Sequence, residues 1–284
     1  MADTFPILVS THWLANELDQ PDCVVLDATR HLPDAARDPK EEYEAGHIPG
    51  AHFLDLGTFT DSTSDVPAAL PNKAQVDARL AEIGISPDSR IILYDDSAVK
   101  TAARAWFALR ALGFEKVAIL DGGIAKWKAE GREIEQGKAA PTSQSTAKGP
   151  APARVRDKAD MLANLETNAE QVVDARGAAR VFGLGDDPVH GGANGRIPGA
   201  LNVPFTTLFA EDGTFKPAEQ LRALFEAAGV DLTQPVITSC GSGVTASVLL
   251  FALELLGKTD TALYDGSWME WNADPDTPKA MGPA

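Results

Sequence analysis

An internal repeat constrains the fold of this chain more than any other feature. Three short motifs occur twice in the same order, and each second copy follows its first by roughly 145 residues. Chance does not keep three motifs in register, so the sequence predicts a tandem duplication. The paired segments are 24–28 (VVLDA) with 171–175 (QVVDA), 46–51 (GHIPGA) with 195–200 (GRIPGA), and 121–123 (DGG) with 265–267 (DGS).

The segment between the two copies has the composition of a linker. Residues 136–154 are rich in Pro, Ala, Ser, Thr and Gly and lack periodic apolar positions, which is typical of an exposed connecting chain. We therefore predict one domain over residues 5–135 and a second over residues 155–279. A length of 284 residues is consistent with two domains of ordinary size.

Each copy alternates short apolar runs with helical patterns. This alternation is typical of an α/β domain in which helices flank a parallel sheet. In such sheets, catalytic groups gather at the carboxyl ends of the strands. The predicted strands are 24–26, 91–94, 117–120, 172–174, 236–239 and 262–264, and the predicted helices are 75–83, 101–112, 217–228 and 245–256.

Charge and cysteine content exclude several classes of partner. The formal net charge is −16, so nucleic acid and anionic membranes would be repelled. No apolar run reaches the roughly 20 residues that cross a bilayer, and the N-terminus does not resemble a signal peptide. With Cys23 and Cys240 as the only cysteines, at most one disulfide can form and thiols cannot build a zinc site. We expect a cytoplasmic protein without a metal or cofactor.

Cys240 is the strongest candidate for a catalytic residue. It lies between the apolar run 236–239 and a helical pattern, in the loop 240–246 with the sequence CGSGVTA. Free backbone N–H groups at a helix start favour a thiolate, and the two glycines allow several N–H groups to face one centre. We therefore predict a nucleophilic thiolate in an anion-binding loop. The competing interpretation is an inert buried cysteine, which is how we interpret Cys23.

The first copy lacks this loop. Aligning the strands 91–94 and 236–239 places Asp95 opposite Cys240, and residues 95–99 read DDSAV, without a thiol or a glycine. A carboxylate would repel the anions that such a loop attracts. We therefore predict that the first domain is catalytically silent.

These features together resemble the tandem-domain rhodanese family. The resemblance rests on the two repeats, the cysteine confined to the second, the paired GxIPGA segments, the DGG and DGS segments before tryptophans, and the loop CGSGVTA. It extends over almost the whole chain outside the linker. Within the family the loop is most similar to the 3-mercaptopyruvate sulfurtransferases, because thiosulfate-using relatives tend to carry Arg and Lys at the positions of Gly241 and Ser242.

The resemblance implies two rhodanese-like domains and a two-step sulfur transfer. Cys240 would attack the sulfur of a small anionic donor and become a persulfide, and 3-mercaptopyruvate would leave as pyruvate. A thiol acceptor, such as thioredoxin or a low-molecular-weight thiol, or cyanide would then remove the outer sulfur. The anionic sulfur would be held by N–H groups of the loop residues Gly241, Ser242, Gly243, Val244 and Thr245.

The resemblance also implies two arginines that bind the carboxylate and keto group of the donor. The first falls on Arg180, whereas the second falls on Val189, where this sequence departs from the family pattern. Arg196 and His190 are candidate replacements, and a bidentate arginine contact binds a carboxylate strongly. For both arginines the alternative interpretation is a structural ion pair.

A second departure concerns proton transfer. Some family members combine the loop serine with a histidine and an aspartate from the first domain. The matching positions here are Gly57 and Ala68, so Ser242 would lack both partners. This departure leaves the identity of the donor open and does not affect the prediction of sulfur transfer.

Three other functions stay open. A thiosulfate:cyanide sulfurtransferase would use the same nucleophile, although the loop lacks the expected cations. A cysteine phosphatase would need an arginine to clamp phosphate, and no Lys or Arg occurs in residues 240–256. A persulfide carrier or binding module would keep the loop without turning over a donor.

Overall fold

The structure is a computed structural model that describes residues 5–83, 85, 88–137, 154–184, 187, 189 and 192–282. The chain divides into two compact units. The first comprises residues 1–62, 70–152 and 210–214, and the second comprises residues 63–69, 153–209 and 215–284. Most of the proposed linker 136–154 lies outside the described residues, and the domain boundaries at 135 and 155 stay predictions.

The first unit contains a five-stranded sheet in which all paired strands run parallel, in the order β1-β5-β4-β2-β3. Its strands are β1 (Leu8–Val9), β2 (Cys23–Asp27), β3 (His52–Phe53), β4 (Arg90–Tyr94) and β5 (Val117–Leu120). Its helices are α1 (Thr11–Glu17), α2 (Pro39–Ala45), α3 (Lys73–Ile83), α4 (Ala102–Ala111) and α5 (Gly123–Ala129), with a 3-10 turn at Pro33–Ala35.

The second unit repeats this arrangement with the strand order β6-β10-β9-β7-β8, again with parallel pairing. Its strands are β6 (Val155–Arg156), β7 (Gln171–Asp174), β8 (Leu201–Asn202), β9 (Val236–Ser239) and β10 (Thr261–Tyr264). Its helices are α6 (Lys158–Thr167), α7 (Ala178–Val181), α8 (Ala218–Ala227), α9 (Val244–Leu255) and α10 (Ser267–Ala273), with a 3-10 turn at Phe205–Leu208. The predicted α/β class, with helices flanking two parallel sheets, is confirmed.

The central strands and the edge strands differ in how visible they are in the sequence. The strands β4, β5, β9 and β10 are buried along almost their whole length and are mostly apolar, because a parallel sheet with helices on both faces hides every side chain. The edge strands β1, β3, β6 and β8 have two residues each, too few to carry a periodic pattern. The sequence therefore predicted three strands in each copy where the structure has five.

The register of the second sheet determines where its loops meet. Asp174 at the end of β7 pairs with Ser239 at the end of β9. The chain beyond each strand therefore emerges at the same edge of the sheet, and the N–H of Ala175 donates to the carbonyl oxygen of Ser239 over 2.8 Å, which places the segment after β7 beside the start of the Cys240 loop. Among the described residues, no helix combines the length and the apolar character needed to cross a bilayer.

Candidate active site

Cys240 opens a short loop between β9 and α9. The loop ends at Gly243, which has a φ of 78° and stands immediately before the first residue of α9. This left-handed backbone conformation strongly favours glycine. Cys240 is 2% exposed, so a donor must reach the sulfur through a small opening or after a movement of the loop.

Ser267, the first residue of α10, fixes both ends of the Cys240 loop. The backbone N–H groups of Cys240 and Gly243 each donate to Ser267 Oγ over 3.1 Å. The Ser267 hydroxyl lies 2.9 Å from the carbonyl oxygen of Tyr264 and 4.0 Å from Cys240 Sγ. Since a hydroxyl has one proton and two lone pairs, Ser267 donates to Tyr264 and has no capacity left for the sulfur.

The start of α10 holds the loop from a second direction. The N–H of Trp268 donates to the carbonyl oxygen of Cys240 over 3.0 Å, and that of Met269 donates to the carbonyl oxygen of Gly241 over 2.9 Å. Orphan N–H groups at a helix start are thereby satisfied by the loop. The segment after β10 is therefore as much a part of the site as the loop itself.

Sequence reasoning did not identify Ser267, although the repeat contained a signal. The matching residue in the first copy is Gly123. A Cβ atom at Gly123 would lie 2.4 Å from the carbonyl oxygen of Asp95, so a side chain cannot be placed there. The change from DGG to DGS between the copies thus coincides with the change from a loop with Asp95 to a loop with Cys240.

The remaining N–H groups of the loop are available to a ligand. Those of Gly241, Ser242, Val244 and Thr245 have no acceptor in the part of the chain that the structure describes, whereas that of Gly243 is engaged by Ser267. Such N–H groups at the start of a 12-residue helix attract an anion. The Cys240 loop can therefore hold an anionic sulfur without a basic side chain.

In the first unit the corresponding position is filled by the protein itself. The buried carboxylate of Asp95 accepts the N–H of Ser97 over 3.0 Å and that of Ala102, the first residue of α4, over 2.6 Å. Burial raises the pKa of the Asp95 carboxyl above its ordinary value. The first copy thus satisfies its helix start with an internal carboxyl group where the second copy has open N–H groups.

Arg180 lies in α7 and is part of an ion pair that the sequence did not reveal. Its Nη2 lies 2.6 Å from Oδ2 of Asp187, whose side chain is fully buried. Val189, at the second family position, is 40% exposed, and its N–H donates to Asp187 Oδ1. His190, the other candidate, lies outside the described residues. The role of Arg180 in donor binding stays a prediction.

Arg196 contacts the C-terminal segment. Its backbone pairs with that of Ala280 in both directions, and its Nη1 donates to the carbonyl oxygen of Gly282. Its guanidinium lies over the Phe182 ring, 5.8 Å from the centroid. These contacts give Arg196 a structural role, and its role in donor binding stays a prediction.

Comparison with known proteins identifies the family. Two regions of the chain, residues 10–130 and 157–274, match the rhodanese-like domain. Together they cover most of the sequence and correspond to the two halves of the repeat. The chain belongs to the rhodanese family.

The relatives of this rhodanese include enzymes with two different donors in their names. It is 40% identical over 271 residues to the 3-mercaptopyruvate sulfurtransferase of Escherichia coli K12, covering 95% of this chain and 96% of the relative. It is 36% identical over 291 residues to the thiosulfate sulfurtransferase of Rattus norvegicus, covering 97% and 95%. The crystal structure of the 3-mercaptopyruvate sulfotransferase SseA from Escherichia coli matches with a TM-score of 0.83 and 40% identity, covering 92% of this chain and 98% of that one.

A change at Ser267 tests how this rhodanese holds its loop. In Ser267→Ala the buried N–H groups of Cys240 and Gly243 lose their acceptor, and each buried unsatisfied donor costs about 1–3 kcal/mol. We expect the free energy of unfolding of the second unit to fall by about 2 kcal/mol or more in urea denaturation. Ser242→Ala is the control, since its hydroxyl has no partner among the described residues and its loss should change stability by less than about 0.5 kcal/mol. Equal stability of the two variants would contradict the role of the Ser267 hydroxyl in holding the loop.

Proposed function

We propose that this rhodanese is a sulfurtransferase that moves sulfur from 3-mercaptopyruvate, through a persulfide on Cys240, to a thiol or cyanide acceptor. The observation that carries the proposal is a cysteine at a helix start with open N–H groups and no basic side chain in the Cys240 loop. A donor whose charge lies on a distant carboxylate suits this loop, because the sulfur itself then needs only neutral hydrogen-bond donors. The 3-mercaptopyruvate sulfurtransferases among the relatives support the choice.

The first step forms the persulfide. The Cys240 thiolate attacks the donor sulfur, and a new S–S bond forms as the carbon–sulfur bond of the donor breaks. The electron pair of that bond remains on carbon as the enolate of pyruvate, which takes up one proton. The anionic outer sulfur accepts hydrogen bonds from Gly241, Ser242, Val244 and Thr245, aided by the dipole of α9.

The second step regenerates the thiolate. An acceptor thiolate attacks the outer sulfur, the S–S bond of the persulfide breaks, and Cys240 leaves as a thiolate. The product is the persulfide of the acceptor, or thiocyanate when cyanide is the acceptor. We propose a low-molecular-weight thiol or a protein thiol such as thioredoxin as the acceptor. A reducing cytoplasm suits this chemistry, and Cys23 and Cys240 are both free thiols.

We propose Arg180 as the principal ligand of the donor carboxylate and Arg196 as a second one. Arg180 Nη2 is paired with Asp187 Oδ2, and the planar guanidinium has the geometry that matches a carboxylate in a bidentate contact. Arg196 is 5% exposed and holds the C-terminal segment through Ala280 and Gly282, whereas the side chain of Arg180 is 19% exposed and is more accessible to a donor. Arg180 is therefore the residue on which the donor preference depends most.

A substitution of Arg180 tests the donor. In Arg180→Ala we expect kcat/KM for 3-mercaptopyruvate to fall about 30- to 100-fold, because a charged hydrogen bond contributes about 2–3 kcal/mol. Arg180→Lys keeps the charge beside Asp187 but not the planar fork, so it should fold normally and recover little of the loss. Arg222→Ala, an exposed arginine of α8, is the matched control. A loss of melting temperature with unchanged kcat/KM would show that Arg180 is only structural.

The same assay separates the alternative functions. Pyruvate release from 3-mercaptopyruvate with dithiothreitol supports the proposal, whereas thiocyanate formed only from thiosulfate and cyanide would make the chain a thiosulfate sulfurtransferase, as one relative of 36% identity is named. A persulfide on Cys240 without turnover of either donor would instead indicate a sulfur carrier.

A further inference from the structure

The second unit contains a buried arginine–tryptophan pair that the first unit lacks. The Arg176 guanidinium lies over the Trp268 ring, with Cζ 4.7 Å from the centroid. Arg176 is 2% exposed and Trp268 is 3% exposed. The repeat places Thr29 and Ile124 at the matching positions of the first copy. The Arg176–Trp268 pair therefore occurs in the unit that contains Cys240 and not at the matching positions of the first unit.

The fold itself does not require this pair. The first unit builds the same strand order with Thr29 in place of Arg176. In both units the aspartate that ends the strand accepts the N–H two residues later over 2.9 Å, as Asp27 does from Thr29 and Asp174 from Arg176. A buried ion pair is also seldom a net source of stability. A feature found only beside the thiol, and not needed for the turn, calls for a functional explanation.

Hydrogen bonds through Gly195 connect Arg176 to the backbone of Arg180. Its Nη2 lies 2.7 Å from Asp174 Oδ2, and the same nitrogen donates to the carbonyl oxygen of Gly195 over 2.6 Å. The N–H of Gly195 donates in turn to the carbonyl oxygen of Arg180 over 2.9 Å. Arg176 thus holds Gly195 in place, and Gly195 in turn holds the backbone of Arg180, the proposed carboxylate ligand.

A second set of contacts connects Trp268 to Cys240, the proposed nucleophile. The Trp268 indole N–H donates to the carbonyl oxygen of Ala193 over 3.1 Å, and its backbone N–H donates to that of Cys240 over 3.0 Å. A Cβ atom on Gly195 would lie 3.2 Å from the indole ring, so this ring packs closely against the Gly195 segment. A cation stacked on the face of the ring fixes its orientation, and with it the main chain that holds Cys240.

We propose that Arg176 and Trp268 are positioning residues that set the place of Cys240 relative to Arg180. This inference rests on the proposed function, in which one residue attacks the donor sulfur and the other binds the donor carboxylate. Displacement of a reacting group by about 1 Å can cost on the order of 100-fold in rate. Neither positioning residue touches the donor in this scheme.

Two substitutions of Trp268 test the stacking contact while leaving the Asp174–Arg176 ion pair in place. Trp268→Leu removes the aromatic face, and we expect kcat for 3-mercaptopyruvate to fall about 10- to 100-fold with KM changed by less than about threefold. Trp268→Phe keeps an aromatic face and should retain kcat within about fivefold of the wild type. Wild-type kcat in Trp268→Leu would overturn the proposal.

Substitution of Arg176 should affect both kinetic constants. Arg176→Met cuts the links to Trp268 and to Gly195, so kcat should fall and KM should rise together, each by about 10-fold or more. Arg176→Lys keeps a cation beside Asp174 without the planar fork of the guanidinium. It should show the same fall in kcat and rise in KM to a smaller degree. If Arg176→Met does not fold, the lysine and tryptophan variants carry the test. A change confined to stability would overturn the proposal.

Alkylation of Cys240 by iodoacetamide provides a readout that needs no donor. Burial raises the pKa of the Cys23 thiol to about 11, so alkylation at neutral pH reports on Cys240. Trp268→Leu should alkylate at a rate that differs from the wild type by about fivefold or more. Ile124→Ala, the matched truncation in the first unit, should lose stability without changing the alkylation rate or kcat.

The outcomes distinguish the two proposals. Equal effects of Trp268→Leu and Ile124→Ala on alkylation and kcat would show a general loss of stability and overturn the positioning role. If the wild type turns over no donor, the sulfurtransferase proposal fails, and the alkylation rates still decide whether the Arg176–Trp268 pair positions Cys240.

Discussion

The Cys240→Ser variant is expected to lose sulfur transfer by at least about 1,000-fold with either donor. A serine hydroxyl stays protonated at neutral pH, and an oxygen at this position cannot form the S–S bond of a persulfide. The hydrogen bonds of Cys240 to Ser267 and Trp268 are made by its main chain. The variant should therefore fold like the wild type.

The measurement is pyruvate release from 3-mercaptopyruvate and thiocyanate release from thiosulfate and cyanide. Mass spectrometry after exposure to each donor should show the gain of one sulfur atom in the wild type and no gain in Cys240→Ser. Cys23→Ser is the matched control and should retain both the activity and the mass gain. Thiocyanate at wild-type levels from Cys240→Ser would disprove the assignment of the nucleophile.

The two strand-end aspartates are expected to respond oppositely to replacement by asparagine. Asp27 is 4% exposed and, among the described residues, has no arginine partner like that of Asp174. Burial raises the pKa of the Asp27 carboxyl from 3.8 to about 6, although hydrogen bonds from Thr29 oppose the shift. Asp174 has the same place in the second unit and is paired with Arg176.

The sign of the pH effect follows from the raised pKa. Between pH 4 and 6 the folded state keeps the Asp27 proton while the unfolded state loses it, so stability should fall as the pH rises through this range. At pH 8 the charged Asp27 costs up to about 3 kcal/mol. Asp27→Asn removes this cost, and its first unit should be more stable than the wild type at pH 8 but not at pH 4.

Asp174→Asn provides the contrast. It leaves the buried guanidinium of Arg176 without a carboxylate, which should lower the free energy of unfolding of the second unit by about 3–5 kcal/mol. Urea denaturation of both variants at pH 4 and pH 8 measures the difference. An Asp27→Asn variant less stable than the wild type at pH 8 would refute a raised pKa for Asp27.

Much of the fold was predictable from local patterns. The strands 117–120 and 236–239 were predicted with their observed ends, and helix α9 was predicted at 245–256 and found at Val244–Leu255. The central strands were predictable because burial on both faces of a sheet requires mostly apolar runs, and α3, α4, α8 and α9 were predictable from their helical spacing of apolar residues. The ten-residue α6 was not predicted. The two-residue edge strands and the four-residue α7 have too few residues to show a period.

The candidate site likewise combines local features, which the sequence predicted, with long-range contacts, which it did not. The thiol and its glycine-containing loop are contiguous in sequence, and the repeat made their comparison with Asp95 possible. The hydrogen bonds of Ser267 join segments that are distant in sequence. The ion pair of Arg180 with Asp187 depends on the path of the chain between these two residues. No spacing rule predicts such contacts.

The sequence alone determined that this protein is a duplicated α/β chain with one thiol poised at a helix start, because periodicity, repeats and loop composition are local properties. The tertiary structure alone decided which loop N–H groups remain open, that α10 holds the main chain of Cys240, and that Arg176 stacks on Trp268. Those facts depend on parallel strands ending at one edge of a sheet, where residues from three separate parts of the chain come within hydrogen-bonding distance.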